Sequence, residues 1–178
     1  MKFILLIFAF ILSVNALVAQ KVDSTEIRVD STVYMKYVGH QRIYIETINP
    51  QIKNVPANYD THENGYKINF SDKNIIVKLI KKWFTPFFIE HGVPTDVPSY
   101  LNNIVFTFHS DMDGKIIGVD FLFSDKNDIP IQLLHQFSHE IQKSNLKLMY
   151  NKKDQTFKHA KRLLRIYAMS SSDIYNLK

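Results

Sequence analysis

His135 and His139 stand four residues apart in the segment from Pro130 to about Ser144, whose apolar residues recur at helical spacing. Two imidazoles one turn apart can share a metal ion, and a third ligand would complete a catalytic zinc site. Glu140 or a distant His would have to be that ligand. On a wheel of about 100° per residue, Leu134, Phe137 and Ile141 gather on one side. Both histidines fall on the other, towards Gln132, Gln136 and Lys143. Glu140 follows His139, but no second His stands where a metalloprotease helix needs one. Asp111-Met112-Asp113-Gly114 could open a calcium loop, yet position 122 is Leu where such a loop requires Glu. The same residues serve well as a hairpin turn, and that is the expected use. Ser110 and Ser138 neighbour histidines, but no Gly-x-Ser-x-Gly frames either one, and His109 is expected at the surface of a strand end. Paired carboxylates of glycosidase type can lie far apart in sequence, and nothing here marks a pair. With five glycines there is no phosphate-cradling loop. Zero cysteines exclude disulfides, Cys-ligated zinc, thiol catalysis and a lipoprotein anchor. No catalytic set, metal site or cofactor is expected.

The elements that would position these groups are legible in part. Lys21 to Asp30 is polar without a sustained apolar period and is expected to be a mobile leader. Thr32 to Ile48 is rich in β-branched residues and tyrosine, and Gly39-His40-Gln41 divides it into two strands. Asn49-Pro50 and Val55-Pro56 mark a loop, and Asn64-Gly65 precedes a strand over Tyr66 to Phe70. Ser71 is the expected N-cap of a helix with two adjacent apolar ridges. These are Ile75, Leu79, Trp83 and Phe87, and Ile76, Ile80, Phe84 and Phe88, with Lys73, Lys78, Lys81 and Lys82 on the opposite face. Such a stripe is core, and Pro86 should kink or end the helix near Phe84 or Thr85. After Pro94–Pro98, two alternating runs, Ile104 to His109 and Ile117 to Phe123, flank the Asp-Gly turn as a hairpin. Pro130 opens a second helix reaching about Ser144. Leu146 to Tyr150 is a short strand, Lys161 to Met169 a closing strand, and Ser170-Ser171-Ser172 begins a frayed tail. Together these make one α+β unit over residues 20–178, a mostly antiparallel sheet with two amphipathic helices packed on it. Its parts are a β-rich stretch (30–70), a helix with connector (71–102), a hairpin-helix-strand part (103–170) and a tail (171–178).

The chain begins Met1-Lys2, continues apolar from Phe3 to Leu12, and leaves through Ser13-Val14-Asn15-Ala16-Leu17-Val18-Ala19. This is the pattern of a secretory signal over residues 1–19, cleaved after Ala19, with Ala16 as the alternative. The run is too short for a comfortable membrane span, and no later segment approaches one. The expectation is an exported protein, periplasmic or extracellular, with no membrane span after cleavage. The formal charge is +5, but no Lys/Arg run exceeds two residues. An exported chain seldom meets nucleic acid, and no nucleic-acid partner is expected.

The stretch Ile104 to Phe123, with its strand, Asp-Met-Asp-Gly-Lys turn and second strand, resembles the first hairpin of the TonB C-terminal domain. The helix from Pro130 and the strand ending near Met169 fall where that family places its own. The resemblance spans about residues 103–170, and exported Bacteroidetes proteins of unknown function share the look. TonB keeps an uncleaved anchor and a long Pro-rich spacer; strands and a large helix stand here instead. The resemblance implies an α+β fold and a mode of binding in which a closing edge strand accepts a partner's extended peptide. Arg165, Ile166 and Tyr167 on the closing strand are the candidate peptide-binding edge, unless Thr32 to Ile48 covers that edge within the same sheet. The expected function is a non-enzymatic interaction module of the cell envelope, with an envelope protein as partner. The alternatives are an exported hydrolase or metal-dependent enzyme, betrayed by a pocket gathering His109, His135 or His139 with carboxylates, and a small-ligand binder with a cavity between helix and sheet.

Overall fold

A computed structural model describes residues 23–52, 57–59, 67–98 and 101–177. The expected signal at 1–19 lies outside these, as do Val55-Pro56, Asn64-Gly65 and Tyr66.

Seven strands form one sheet in the order β1-β2-β3-β7-β6-β9-β4. They are β1 (Asp23–Val29), β2 (Thr32–Gly39), β3 (Arg42–Ile48), β4 (Ala57–Tyr59), β6 (Asn103–Ser110), β7 (Ile116–Ser124) and β9 (Arg162–Ser170). Every pairing is antiparallel except β4 on β9. A small second sheet pairs β5 (Ile68–Phe70) with β8 (Leu148–Tyr150). Helix α1 covers Lys73–His91, α2 covers Ile131–Lys143 and α3 covers Ser171–Tyr175. The architecture is the expected α+β one.

Both long helices lie on one face of the large sheet, because each strand of the hairpin sends alternate large apolar side chains that way. Phe106 of β6 meets Phe84 of α1 at 5.4 Å and Phe137 of α2 at 5.2 Å between ring centroids. Phe121 of β7 reaches Phe137 at 6.1 Å. Ile76, Ile80, Phe84 and Phe88 are fully buried, so the α1 stripe is core as its spacing predicts, with Ile75, Leu79 and Trp83 partly buried beside it. The hairpin turn uses Gly114 at φ +81, a left-handed position, and an added Cβ there would stand 2.1 Å from the Leu148 carbonyl oxygen. Glycine is required by conformation and by space.

Four expectations are corrected. Asp23–Val29 is not a leader but strand β1, whose backbone pairs with β2 along its whole length although its side chains are mostly exposed. The N-cap of α1 is Asp72, whose carboxylate accepts from Asn74 N–H; Ser71 Oγ instead accepts from Lys147 N–H and ties α1 to the segment before β8. Pro86 does not end α1, which continues to His91. The ring lies on the exposed side of the helix, while Phe84, Phe87 and Phe88 are held in the core on either side of it. The tail is not frayed: Ser170 caps α3 and Ile174 is fully buried against α1, where Thr85 Oγ donates to its carbonyl at 2.8 Å.

Candidate functional site: the β9 edge and the polar ladder beneath it

β6 pairs along its full length with all of β9 but Arg162, from Asn103↔Ser170 to Ser110↔Leu163. The bond from Ser171 N–H to Asn102 C=O, 2.9 Å, makes those two a hydrogen-bonded pair of the same register. Antiparallel alternation then directs the N–H and C=O groups of Leu163, Arg165, Tyr167 and Met169 towards β6. Those of Leu164, Ile166 and Ala168 point away from it, to the outer edge. β4 takes up that edge only at Arg162, Leu163 and Leu164. Among the described residues no strand lies beyond Leu164, so Ile166 and Ala168 present their backbone groups outward. Thr32 to Ile48 does not cover this edge, because β3 pairs with β7 on the other side of the hairpin.

Side chains at the edge divide between the two faces. Tyr167 faces the helix side and packs on Phe70 of β5 with ring centroids 6.2 Å apart. Arg165 shares that face, opposite Phe108, and is half-buried. Ile166 faces the other side of the sheet and is 58% exposed, among the most exposed large apolar residues described. Burial raises the Tyr167 phenol above its ordinary value. Of the three candidate edge residues, therefore, Ile166 is the one displayed, while Arg165 and Tyr167 are turned inward.

The face that carries Ile166 also holds a polar ladder with one residue from each of four adjacent strands. Tyr44 of β3 donates its hydroxyl to Asp120 Oδ2 of β7 at 3.0 Å. His109 Nε2 of β6 meets the same oxygen at 2.7 Å, and Arg162 Nη1 of β9 meets His109 Nδ1 at 2.7 Å. A guanidinium only donates, so Nδ1 is the acceptor and the proton sits on Nε2, donated to Asp120. Thr47 N–H fills Asp120 Oδ1 at 2.8 Å. Tyr37 of β2 stacks on Tyr44 at 5.8 Å and donates to Glu46, which extends the series to a fifth strand. The Tyr44 phenol is held far above its ordinary value by burial first and then by the Asp120 charge. Ile52 closes over this end of the face, its Cδ1 standing 2.5 Å from where a Cβ on Gly118 would be.

His109 is thus not a surface residue; it is 4% exposed, and Asp120 is 3% exposed. An Asp–His dyad acts as a base only through a free ring nitrogen, and here both are taken. The ladder binds strands together instead of offering a proton acceptor. Its signal in the sequence is slight: Asp120 is a lone acid between Val119 and Phe121 in an apolar strand.

His135 and His139 lie on the opposite, helix-bearing side of the sheet. His135 Nδ1 is 3.0 Å from the Tyr34 hydroxyl, its Nε2 is 3.2 Å from Asp30 Oδ2, and its ring stacks on His139 at 6.1 Å. Burial pushes Tyr34 up to about 12. Glu140 is engaged by Lys82 and by Trp83 Nε1, and the Lys82 hydrogen bond above all holds its carboxyl below the usual range. Among the described residues no three His, Asp or Glu side chains converge as a metal site would require. Ser110 Oγ donates to Asp111 C=O and Ser138 Oγ accepts from Gln142, so neither serine meets a histidine in these bonds. A cleft of about 490 Å³ lies between the end of α1 and the start of α2, lined by His91, Asp96, Lys126 and Asn127 among others. A smaller one of about 150 Å³ lies between β1–β3 and α2, below the ~300 Å³ at which ligand pockets usually begin. Neither includes His109, His135 or His139. Among the described residues no helix is long and apolar enough to cross a membrane.

No family model matches the chain, and no curated protein matches it. A solved structure of a DUF5043 family protein from Bacteroides uniformis is similar at 11% identity and a TM-score of 0.48, over 83% of this chain and 85% of that one. At that level the likeness carries no argument about what this chain does.

Proposed function

We propose that this is an exported, non-enzymatic interaction module of the cell envelope, which takes an extended segment of an envelope protein onto the outer edge of β9. The observation that carries the reading is the half-covered edge: among the described residues β4 ends opposite Leu164, and beyond that point Ile166 and Ala168 turn their backbone groups outward. An added strand finds there the donors and acceptors it needs. The likeness to the TonB C-terminal domain supports the same mode, since its closing strand receives a peptide in this way, and the N-terminal signal pattern supports export.

Magnitudes refine the partner. Four backbone bonds to Ile166 and Ala168, at about 0.5–1.5 kcal/mol net each, contribute only about 2–6 kcal/mol. Association itself costs about 4–15 kcal/mol. Side-chain burial must supply the surplus, and Ile166 is the large apolar group on offer. The partner segment therefore carries an apolar residue against Ile166.

The test is capture from envelope extract by residues 20–178, beside Ile166→Pro and Ile166→Ala variants. Proline removes an outward N–H and leaves the β6–β9 ladder whole, a position where edge strands tolerate it. One stoichiometric partner kept at reduced yield by Ile166→Ala and lost by Ile166→Pro is the expected result. The same partner recovered equally by a folded Ile166→Pro protein, or no stoichiometric partner from any form, overturns the reading.

A further inference from the structure

We infer that β1, at the opposite side of the sheet from β9, is a self-association edge: two copies of this chain join β1 to β1, antiparallel about Ile27, with Glu26 of each copy facing Arg28 of the other. The inference concerns a different edge from the one assigned to an envelope protein and does not rest on that assignment.

Among the described residues β1 is the last strand on its side of the sheet, so one of its edges has no neighbour. The β1–β2 hairpin closes on a two-residue turn, Asp30-Ser31, with Asp30 at φ +51. Such a turn makes Val29 and Thr32 a hydrogen-bonded pair. Alternation then turns the N–H and C=O groups of Asp23, Thr25, Ile27 and Val29 to β2, and those of Ser24, Glu26 and Arg28 to the open edge. Side chains alternate as well. Ile27 stands opposite Tyr34, whose hydroxyl meets His135 of α2, so Ile27 and Thr25 lie on the helix side. Glu26 and Arg28 share the other face and are joined at 2.8 Å.

An open edge invites another strand unless something guards it. The usual guards are missing: β1 is seven residues long, has neither Pro nor Gly, and keeps an unbroken register with β2. Its charges remain, and their effect depends on sign. A row of one sign would repel a second copy, whereas an acid and a base two residues apart select one arrangement of it. Since the outward residues are Ser24, Glu26 and Arg28, two-fold pairing can centre on Thr25, Glu26, Ile27 or Arg28. Centring on Glu26 sets that acid against itself. Centring on Arg28 sets Arg28 against itself and Glu26 against Asp30. Centring on Thr25 pairs Glu26 with Ser24 and leaves Arg28 beyond the end of the other β1. Centring on Ile27 gives Glu26 opposite Arg28 twice and Ser24 opposite Asp30, so no like charges face each other. Both Glu26–Arg28 positions are then hydrogen-bonded backbone pairs, and four side chains of alternating sign close a square with the ion pair each copy already has. On the helix side Asp23 and Thr25 are exposed and Ile27 is only partly buried, so α2 does not seal this face of β1. Two hydrogen-bonded pairs and exposed ion pairs make a small contact. The dimer is therefore a reversible one that salt weakens.

The test is sedimentation velocity of residues 20–178 from about 10 μM to about 1 mM, at low and high salt. The wild type is expected to pass from monomer to dimer over that range, with weaker association at high salt. Arg28→Glu and Glu26→Arg each set like charges across the seam and should weaken the dimer by about tenfold or more. Mixing the two variants sets acids against bases again and should restore it, which misfolded chains would not do. Register is read separately by Ile27→Cys, since the chain has no cysteine of its own. Ile27 of the two copies would form a non-hydrogen-bonded pair with Cα atoms about 4.5 Å apart, within the range of about 4.4–6.8 Å that a disulfide spans. Mild oxidation should link Ile27→Cys into a covalent dimer and leave Ser24→Cys unlinked, its two sites being about 20 Å apart. Should a charge variant not fold, this pair decides. A wild type that stays monomeric throughout overturns the inference, as does a dimer unchanged by Arg28→Glu or equal linking of the two cysteine variants. A dimer lost instead in Ile166→Pro would put the contact on β9 and overturn it too. Monomeric wild type would leave the capture result untouched, so failure here and failure of the strand-addition reading are separable.

Discussion

Replacing Asp120 probes the ladder most sharply, because alanine and asparagine are expected to behave nearly alike. The carboxylate is 3% exposed and accepts three hydrogen bonds, from Thr47 N–H at 2.8 Å, His109 Nε2–H at 2.7 Å and the Tyr44 hydroxyl at 3.0 Å. Asp120→Ala strands those donors, and a buried donor left unmet costs about 1–3 kcal/mol. The Tyr44 hydroxyl can turn aside because Tyr44 is only half-buried, which leaves the Thr47 and His109 donors to bear the loss. The sum is about 3–5 kcal/mol, the range found when one member of a buried pair is removed. Asp120→Asn retains an oxygen for Thr47 but sets an NH₂ against His109 and Tyr44. His109 cannot answer by changing tautomer, since its Nδ1 must remain an acceptor for Arg162. A loss of about 2–4 kcal/mol follows, a large part of the ~5–15 kcal/mol of an ordinary domain. Urea unfolding with an unchanged slope measures it. Asp120→Asn within about 0.5 kcal/mol of wild type would refute the assigned tautomer.

Other outcomes follow from the same geometry. Phe137→Ala opens a void among Phe84, Phe106 and Phe121 and should cost about 3–5 kcal/mol in thermal or urea unfolding. Gly114→Ala places a Cβ against the Leu148 backbone at a left-handed φ and should cost at least about 1–3 kcal/mol, visible as a lowered Tm. Tyr34, raised to about 12, should be a late-ionising phenol in an ultraviolet titration, and one absent in Tyr34→Phe. Its raised value stabilises the fold fully below the ordinary tyrosine range, and that contribution is lost as pH climbs from about 10 to about 12. Glu140→Gln should cost less than about 1 kcal/mol at neutral pH, since Lys82 is exposed and the carboxylate partly so; its lowered carboxyl means that this small contribution fades as pH falls through its titration.

What could be read from the sequence was whatever a single element states by its own period. The Ile75–Phe88 stripe, the Ile104–Phe123 hairpin about Asp113-Gly114 and the helix after Pro130 are each locally consistent, and each is present. β1 is hidden because an edge strand needs no apolar face: Ser24, Glu26 and Arg28 sit in solvent while the backbone does the pairing. Pro86 misleads because its local cost to a helix is outweighed by the buried Phe84, Phe87 and Phe88, which hold both halves of α1 in place. The closing strand is legible from its own residues, but its neighbours are long-range facts that no local pattern records. The ladder is the extreme case, since its bonds join residues 11, 53 and 76 positions apart. His135 and His139 had the stronger sequence signal and are the less consequential pair.

The most direct test of the account is whether the β9 edge is open along the residues assigned to a partner. Residue-resolved amide exchange of the unbound protein at neutral pH answers it. Fast exchange at Ile166 and Ala168, alternating with strong protection at Arg165, Tyr167 and Met169, is the predicted pattern. Protection at Ile166 and Ala168 equal to that of their neighbours would mean the edge is already occupied, and strand addition there would be contradicted.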